Sequence, residues 1–573
     1  MKKRKSIALI NGAASTVVAA SIIIFGGASH AVADDVVDTS AVTAQDLLKL
    51  LVEEGVIDKD KLKGLAEKIK NRQTAQPPQS VQPVRGAVET VNAENKDKKP
   101  ASDGSVVRVP YVPQYIKDEI RDQVRLGLKD DVSRDVMAQA KQERWGLPGA
   151  LPEWVNTIKF SGDMRVREES TFYAADNFDR SYYDFASLNK QGKFTGTDKD
   201  YLNTTEDRHR LRSRFRFNVK AKINNWVDVG ARLVTGNITD PVSTNQTLGS
   251  YGQKWQTNFD LAYLKFATMD KQYMLSAGRI ENPFFGSDLI WDADLTFEGV
   301  AASWWFLRND HMDDDFRSIN PFITVGAFPI SEVDRSSDDK WLYAAQTGFQ
   351  YEFRSQSKLT AALAYYAYEN IVGKWNTTQD DTTFDYTAPT YMQRGNTLFN
   401  IRNNSDSSSL NRLWANAVDY RLANAYVEYD IASFSPIHII AVADYVKNLG
   451  FDKDEVARRV GTVVEEQSEG YQARVTIGWP QVTKARDWQV SFIYRYVERD
   501  AVLDAFTDSD FHGGGTDAEG YIIKFDYGLL DNVWATLRWL SSNEIDANSF
   551  LATGYGTGKF GVDTLQLDLN AKF

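Results

Sequence analysis

The feature that most constrains the fold is an alternation of apolar and polar residues that recurs from residue 158 to residue 573. The stretch "TLQLDLNAKF" at residues 564–573 shows it clearly, with Leu565, Leu567 and Leu569 on one face of a strand and Gln566 and Asp568 on the other. Strand side chains repeat with a period of two, so one face is apolar and the other polar. A half-buried strand of a soluble sandwich has the same pattern, so this stretch alone does not select a membrane protein.

The spacing between the alternating segments is more informative than any single segment. Tight connections are predicted at residues 224–225, 269–271, 354–357 and 434–436, and long polar loops at residues 170–206, 370–419 and 543–561. Short turns on one rim and long loops on the other are typical of outer-membrane barrels. The sequence therefore predicts an all-β membrane protein, in which residues 157–573 form an antiparallel transmembrane β-barrel of about 16 strands with an α-helical periplasmic N-terminal extension.

Tryptophans support the same interpretation, because aromatic side chains favour the headgroup level of a membrane. Many lie near predicted strand ends or at outward positions, and together they predict an aromatic girdle. The set comprises Trp154, Trp226, Trp304, Trp305, Trp341, Trp479, Trp488, Trp534 and Trp539.

Composition excludes several other classes of protein. The 573 residues carry a net charge of -12, which argues against a nucleic-acid partner, and past the N-terminal signal no apolar run is long enough for a transmembrane helix. Cysteine is absent, which excludes disulfides and thiolate metal ligands. No metal site and no cofactor are predicted.

The N-terminus predicts export. Residues 1–33 combine the basic head Lys2-Lys3-Arg4-Lys5, a short apolar run at residues 17–25 and the small residues Ala31-Val32-Ala33, as in a signal peptide. The alternative is an anchor that is never removed, although the apolar run is short for a membrane span.

Three segments are predicted between the signal peptide and the barrel. Residues 34–72 read as a small periplasmic helical hairpin, and residues 73–105 as a disordered linker because they contain little apolar material. Residues 106–156 contain a periplasmic helix with apolar residues every four positions, which is either an oligomerisation segment or a lone solvated helix that leans on the barrel. Its apolar stripe comprises Ile116, Ile120, Val124, Leu128, Val132, Val136 and Ala140.

A basic strip is predicted inside the barrel. In "RLRSRFRFNVKAKI", Leu211, Phe215 and Phe217 occupy the lipid face, so the alternating cations must point inward. A lipid-facing Arg or Lys near the midplane would cost roughly 2–4 kcal/mol. The predicted pore-lining cations are Arg165, Arg167, Arg210, Arg212, Arg214, Arg216, Lys220 and Lys222.

Carboxylates are predicted to face this strip across the lumen. The predicted acidic lining comprises Asp163, Asp228, Glu428 and Asp430, to which Asp568 is added. The strip predicts a preference for anions because the local field acts on a permeating ion, although facing carboxylates create a transverse field that need not select either sign.

No catalytic residues are predicted. Past the signal peptide the histidines are His209, His311, His438 and His512, and none has a convincing serine nucleophile with a partner acid in the sequence. The sequence is therefore interpreted as that of a non-enzyme.

The stretch "AGRIENPFFGSDLIWDADLTFEGVAASWW" at residues 277–305 resembles the signature of the bacterial "putative porin" family. The resemblance extends to "LPEWVNTIKFSGDMRVREES", "RHRLRSRFRF" and "LLKLLVEEGVI", so it covers nearly all of the mature chain. The residues singled out in this motif are Arg279, Asn282, Asp292, Asp294 and Glu298. Its "NPFF" to "DADL" segment is either a loop that packs against the wall or a constriction loop.

The resemblance implies an outer-membrane channel related to general trimeric porins, with a helical periplasmic extension. The expected function is a porin for passive diffusion of small hydrophilic solutes and ions, in the bacterial outer membrane with its N-terminal segment in the periplasm. Its expected partners are outer-membrane lipid, further copies of itself in a trimer, and small hydrophilic solutes. The alternative is an envelope-tethering structural barrel whose N-terminal helices bind the cell wall or a periplasmic partner.

Overall fold

The structure, a computed structural model, describes residues 157–191, 193, 195–306, 318–334, 336–378, 381–402, 412–546 and 559–573. The predicted signal peptide, helical hairpin, linker and 106–156 helix lie outside the described residues. Across the described ranges, none of the helices has the length and apolar character needed to cross a membrane.

One antiparallel sheet closes on itself as a barrel. It has 17 strands, one of which (β4) is only two residues long, so 16 strands form the wall and the predicted strand count is confirmed. Its strands are β1 (Ile158–Tyr173), β2 (Arg208–Lys222), β3 (Val227–Val234), β4 (Gln246–Thr247), β5 (Asn258–Ala267), β6 (Tyr273–Ile280), β7 (Phe297–Trp305), β8 (Ser318–Ser331), β9 (Lys340–Glu352), β10 (Lys358–Glu369), β13 (Arg421–Ile431), β14 (His438–Asn448), β15 (Glu469–Gly478), β16 (Trp488–Val497), β17 (Ala518–Leu530), β18 (Val533–Glu544) and β19 (Gly561–Lys572).

The remaining elements lie in the connections between barrel strands. A separate pair of three-residue strands is formed within one long loop, and the two helices are short. These elements are β11 (Leu398–Asn400), β12 (Trp414–Asn416), α1 (Phe185–Gln191), α2 (Lys453–Val460) and the 3-10 turns Asp198–Asp200, Asp385–Thr387, Asp504–Phe506 and Phe511–Gly513.

The connections sort by length between the two rims of the barrel. All four predicted tight turns join successive strands at one rim, called here the turn rim, which also carries the start of β1 and the end of β19. The opposite rim, called the loop rim, carries the described parts of the longer connections between β1 and β2, β3 and β5, β10 and β13, and β18 and β19.

The barrel closes through β1 and β19. Their register runs from Asp163 opposite Lys572 to Tyr173 opposite Val562. At the turn rim, Gly162 and Phe573 exchange two backbone hydrogen bonds of 2.9 and 3.0 Å. A Cβ at position 162 would lie 2.5 Å from the Phe573 ring, so glycine allows this close approach.

The outward face follows the predicted alternation. Phe160 is 63% exposed and packs against Phe217 of β2, and Trp226, Trp304 and Trp539 are also outward and exposed. Trp305 contradicts the predicted aromatic girdle, since it is buried with its ring 4.9 Å from that of Phe322. In the alternation of β7, Trp304 occupies the outward position, so its neighbour Trp305 must point inward.

The apolar core of the described region lies inside the barrel near the loop rim. It consists of inward side chains of the wall and of three connections that fold into the lumen, at residues 281–296, 370–420 and 498–517. Ile401, Val418 and Val502 of these connections are fully buried. The interior is therefore partly filled by its own loops.

Candidate functional site

The predicted basic strip forms on the inward face of β1 and β2. The strand register sets Arg165 opposite Arg214 and Arg167 opposite Arg212. Like charges directly opposite each other on neighbouring strands destabilise a sheet unless they are neutralised. The surroundings of the strip supply the necessary carboxylates from several parts of the chain.

Arg167 is the most completely paired cation of the strip. Its Nε and Nη2 donate to the two carboxylate oxygens of Asp568 at 2.7 and 2.9 Å, and its Nη1 donates to Asp510 at 3.0 Å. The side chain is only 2% exposed. A bidentate pair of this kind fixes the guanidinium plane as well as its charge.

Two further carboxylates neutralise the rest of the β2 row. Glu169 accepts hydrogen bonds from Arg210 and Arg212, the latter at 3.1 Å. Asp163 accepts from Arg214 at 2.9 Å and from Arg216 at 2.8 Å. Each of these two carboxylates therefore bridges two successive cations of the same strand face.

Arg165 is the least neutralised arginine of the strip. Its Nη2 donates to the amide oxygen of Asn245 at 2.6 Å, and its Nη1 lies 3.9 Å from a carboxylate oxygen of Asp568. Its Nε is buried and has no protein partner. The Nε atoms of Arg210, Arg212 and Arg214 are likewise buried without a protein partner, so the hydrogen bonds of this row of guanidiniums are incompletely satisfied.

Residues 281–296, called here the inner loop, cross the lumen and face the strip. The apolar side of this loop packs on the wall, where Phe284 lies 5.4 Å from Tyr366 and Trp291 lies 5.1 Å from the same ring. Backbone groups of Phe285 exchange hydrogen bonds of 2.8 and 2.7 Å with the Gln346 side chain of β9. The loop is thus fixed to one side of the barrel.

The polar side of the inner loop points across the lumen. Asp294 contacts Arg216 at 3.1 Å and Arg214 at 3.6 Å. Burial raises the pKa of its carboxyl, but these two cations outweigh that effect and hold the pKa below its usual value. Asp288 lies 2.9 Å from Arg495 of β16. The first sequence interpretation, a loop that packs against the wall, agrees with these contacts, whereas the second, a constriction loop, stays a prediction.

Residues 498–517, called here the aspartate loop, hold the inner loop from the other side. The backbone N–H of Asp292 donates to the Phe506 carbonyl at 2.8 Å, and the Asp292 carboxylate accepts from the Ser509 N–H at 2.9 Å. Burial, and then the neighbouring carboxylates Asp508 and Asp294, raise the pKa of Asp292 to about 8. The junction of the two loops is therefore partly protonated at neutral pH.

Two lumenal cavities flank the strip. The loop-rim cavity has a volume of about 360 Å³ and is lined by Arg208, Arg210 and Arg212, among others. The turn-rim cavity has a volume of about 500 Å³ and includes Arg165 and Arg214 in its lining. The strip runs between the cavities, and the inner loop stands opposite it.

The other predicted lining residues lie near the turn rim. Lys220 contacts Glu281 at 3.5 Å with both side chains about half exposed. Asp228 is exposed and opposite Lys222, which is also exposed. Farther round the barrel, Glu428 contacts Arg474 at 3.5 Å, and Asp430 contacts His438 at 2.7 Å. Of the predicted carboxylates, only Asp163 and Asp568 contact the arginines of the strip.

The family motif divides between two locations. Arg279 and Glu298 pair at 2.8 Å, and both are partly exposed on the outward side of β6 and β7. Asn282 begins the inner loop by accepting a hydrogen bond from the Phe284 N–H at 3.0 Å. The motif aspartates Asp292 and Asp294 lie inside, as described above.

Several residues of the site were missed by the sequence interpretation. Arg208 and Glu169 share the inward faces of β2 and β1, so the alternation itself could have identified them. Asp508 and Asp510 belong to the run "DAVLDAFTDSD" at residues 500–510, whose closely spaced aspartates are its only sequence signal. Arg394, which lies 4.4 Å from the centre of the Phe560 ring, has no such signal.

Two of the described histidines contact serines. His512 Nδ1 lies 3.0 Å from Ser542 Oγ, with no carboxylate bonded to that hydroxyl, which also contacts the Val562 carbonyl oxygen at 3.3 Å. The other is His209. Ser170 Oγ is 2.7 Å from His209 Nδ1 and also 2.6 Å from a Glu168 carboxylate oxygen. In a catalytic triad the acid orients the histidine, whereas here Glu168 contacts the serine hydroxyl. This contact is therefore not arranged as a catalytic triad.

Comparison with known proteins places the chain in a family. A profile of the family described as "Putative porin" matches residues 41–573, and the chain belongs to this family of porin-like outer-membrane channels, which are not enzymes. A search among curated proteins finds no match.

Solved bacterial outer-membrane proteins resemble the chain at low identity. OprB of Pseudomonas putida is 12% identical, with 75% of this chain and 97% of that chain covered and a TM-score of 0.41. DcaP of Acinetobacter baumannii is 10% identical, with 73% and 97% covered and a TM-score of 0.37. OmpF of Salmonella typhi, solved with daunomycin, is 12% identical, with 73% and 97% covered and a TM-score of 0.37.

Proposed function

We propose that the protein is a water-filled channel for passive diffusion of small hydrophilic solutes, which pass between the basic strip and the inner loop. The observation that carries this proposal is the position of the strip, whose arginines line both the loop-rim cavity and the turn-rim cavity. A solute that moves between the two cavities passes Arg165, whose contact with the Asp568 carboxylate is as long as 3.9 Å.

A preference for anions is part of the proposal. The lining of the turn-rim cavity includes six cationic side chains and two carboxylates, Asp288 and Asp568. The cations are Arg165, Arg167, Arg214, Arg474, Lys524 and Arg538. Because carboxylates pair with most of these cations, the preference is expected to be weak and to depend on the local field in this cavity.

Single-channel recording in planar bilayers tests the proposal. Purified protein should insert as an open pore, and in a KCl gradient its reversal potential should have the sign expected when chloride moves faster than potassium. A folded protein that gives no conductance would overturn the channel. A reversal potential of the opposite sign would overturn only the anion preference.

The topology is proposed from the two rims. An exported chain reaches the outer membrane from the periplasm, so the turn rim should face the periplasm and the loop rim the outside. An epitope inserted beside Tyr251, which is fully exposed at the loop rim, should bind antibody on whole cells. An epitope at Asn225 should bind only after the envelope is opened, and the reverse pattern would contradict the topology.

Assembly is proposed from the sequence of the N-terminal extension. The 106–156 helix, exposed to the periplasm after removal of the signal peptide, is expected to hold the barrels together as a trimer. Replacing Ile120, Val124 and Leu128 by Asp should lower the native mass and the heat resistance of the oligomer. Unchanged mass and melting would mean that this stripe does not mediate association.

Envelope tethering is the second candidate role for the extension. Residues 73–105, if extended at about 3.3 Å per residue, would reach roughly 100 Å, which suits a tether to the cell wall or to a periplasmic partner. Deleting residues 34–150 distinguishes the roles. Retained conductance with a detached envelope would support tethering, whereas retained conductance with an intact envelope would contradict it.

A further inference from the structure

The barrel wall contains a local opening between β7 and β8 at the loop rim. The pairing of these strands runs from Trp305 opposite Phe322 to Val300 opposite Ala327. Both strands continue beyond the last pair, β7 from Phe297 and β8 to Ser331. Pro329 lies in the part of β8 that still pairs with β9 but no longer with β7, and it has no N–H to donate to a ladder with β7.

A cavity of about 240 Å³ occupies this opening. Its lining includes residues from the ends of β7 and β8 that do not pair with each other, among them Glu298 on the outward face and Phe328 on the inward face. Trp291, Leu342 and Phe506 supply an apolar interior. We call this cavity the wall cleft, and it is distinct from the two cavities along the basic strip.

Lys340 is the unusual residue of the wall cleft. It is 4% exposed, and its ammonium donates to the carbonyl oxygens of Thr387 at 3.0 Å and Ala388 at 3.3 Å. Within the described ranges, no carboxylate forms an ion pair with it. Asp504 also lines the cleft, but its carboxylate accepts a hydrogen bond from the Gln393 N–H at 3.1 Å.

A buried cation without a counterion is unfavourable, and an ammonium has three protons to donate. Two carbonyl contacts leave one donor of Lys340 available. The cleft thus combines an apolar interior with the ammonium of Lys340, which pairs with no carboxylate of the described residues. Burial raises the pKa of the Asp504 carboxyl in the same lining to about 7, so at mildly acidic pH that carboxyl is mostly neutral. The volume of the cleft lies below the ~300–1,000 Å³ that is usual for drug-sized ligands.

We propose that the wall cleft is a binding site for a small amphipathic carboxylate, such as a medium-chain fatty acid. Its carboxylate pairs with Lys340 and its apolar chain lies against Trp291, Leu342 and Phe506. The site is separate from the diffusion path, so it does not depend on the selectivity of the channel.

Isothermal titration of octanoate into the full-length protein, held in amphipol to avoid detergent micelles, tests this site. The wild type should bind octanoate, and Lys340→Met should weaken binding by about tenfold to a hundredfold, as expected for loss of a charge-assisted hydrogen bond. Octanol, which has the same chain without the charge, should bind both proteins equally. Lys374→Met, which removes an exposed lysine of the same loop layer, is the matched control and should bind octanoate like the wild type.

A second variant keeps the test decisive if Lys340→Met does not fold. Ala505 is buried and lines the cleft, so Ala505→Trp should fill the cavity and abolish binding of both octanoate and octanol. Absence of octanoate binding by the wild type would overturn the site. So would unchanged octanoate affinity in a folded Lys340→Met protein, which would mean that Lys340 only fastens residues 387–388 to β9.

Discussion

The inward faces of two parts of the barrel differ sharply. On β1 and β2 the inward side chains are charged, whereas on β7 to β10 they are mainly apolar, with Phe297, Phe322, Leu342 and Tyr366 all buried. The inner loop explains the difference because it covers the apolar wall with its aromatic residues and turns its aspartates toward the charged wall. The inward positions of β7 to β10 are therefore mainly apolar where the aromatic residues of the inner loop cover them.

The two walls also hold the inner loop by different physical means. The apolar wall holds the inner loop by burying apolar surface, and each fully buried large side chain contributes about 1.5–3 kcal/mol to the stability of the docked loop. The charged wall holds the loop through ion pairs such as Asp294 with Arg216, which lie beside the lumen. Such pairs add little to the free energy of unfolding, but they shape the local electric field. Variants of the apolar wall should thus alter loop position, and variants of the charged wall should alter selectivity.

The largest effect is expected from Trp291→Ala. Trp291 is buried against Phe297 and Tyr366 at ring distances of 5.0 and 5.1 Å, and removal of a buried aromatic side chain costs about 3–5 kcal/mol. The inner loop should come loose, which would raise single-channel conductance and lower the melting temperature. Trp304→Ala, on the outward face of β7, is the control and should leave conductance unchanged. Equal conductance in all three proteins would show that the loop does not narrow the path.

A smaller but selective effect is expected from replacing Arg212, Arg214 and Arg216 by Gln. Their partners Glu169, Asp163 and Asp294 would then carry unneutralised charge into the lumen, so the reversal potential in a KCl gradient should move toward cations. Adding Asp163→Asn and Asp294→Asn to the same variant should largely restore the wild-type potential. If the triple variant keeps the wild-type potential while folded, the strip lies away from the narrowest point.

A still smaller effect is expected from pH, which acts on the junction between the inner loop and the aspartate loop. The pKa of Asp292 is raised to about 8, so its contribution to loop docking is complete below its ordinary value of 3.8 and is lost as pH rises through about 8. Open-channel noise should therefore rise from about pH 4 and level off above about pH 8, where Asp292 is ionised in the docked loop and is repelled by Asp508 and Asp294. Asp292→Asn should keep the bond from the Ser509 N–H and remove this increase. Noise that rises equally in Asp292→Asn would assign the effect to another group.

The smallest effect is expected from Lys220→Gln. Lys220 and Glu281 are both about half exposed and 3.5 Å apart, and exposed pairs contribute only about 0–1 kcal/mol. Melting should be unchanged within error, and the reversal potential should move less than in the triple arginine variant. A shift as large as that of the triple variant would place the selective region at the turn rim.

The strands of the barrel wall and the inward direction of the basic strip could be predicted from the sequence. The first follows from the period of two in the side chains, and the second from the free-energy cost of placing cations in lipid. The sequence did not reveal the apolar inward wall. In β10 the residues from Leu359 to Tyr368 are small or apolar on both faces, so polarity does not say which face meets lipid.

The loop carboxylates that pair with the basic strip could not be predicted from sequence periodicity either. Asp510 contacts Arg167 across 343 residues of chain, and Asp294 contacts Arg216 across 78. No periodicity relates such positions, because the loops that carry these aspartates return to the strip only after the barrel has formed. The position of each loop carboxylate is thus a tertiary property.

The contact between Gly162 and Phe573 also has a consequence for the order of folding. Since β19 pairs with β1, the barrel can close only after the strands between them have been laid down. Until then, β1 and the most recently added strand each present an unpaired edge, which is prone to pair with other chains. Closure of so long a loop is entropically slow, so the final hydrogen bonds of Phe573 should form late, and the vulnerable species in biogenesis should be an open, nearly complete sheet.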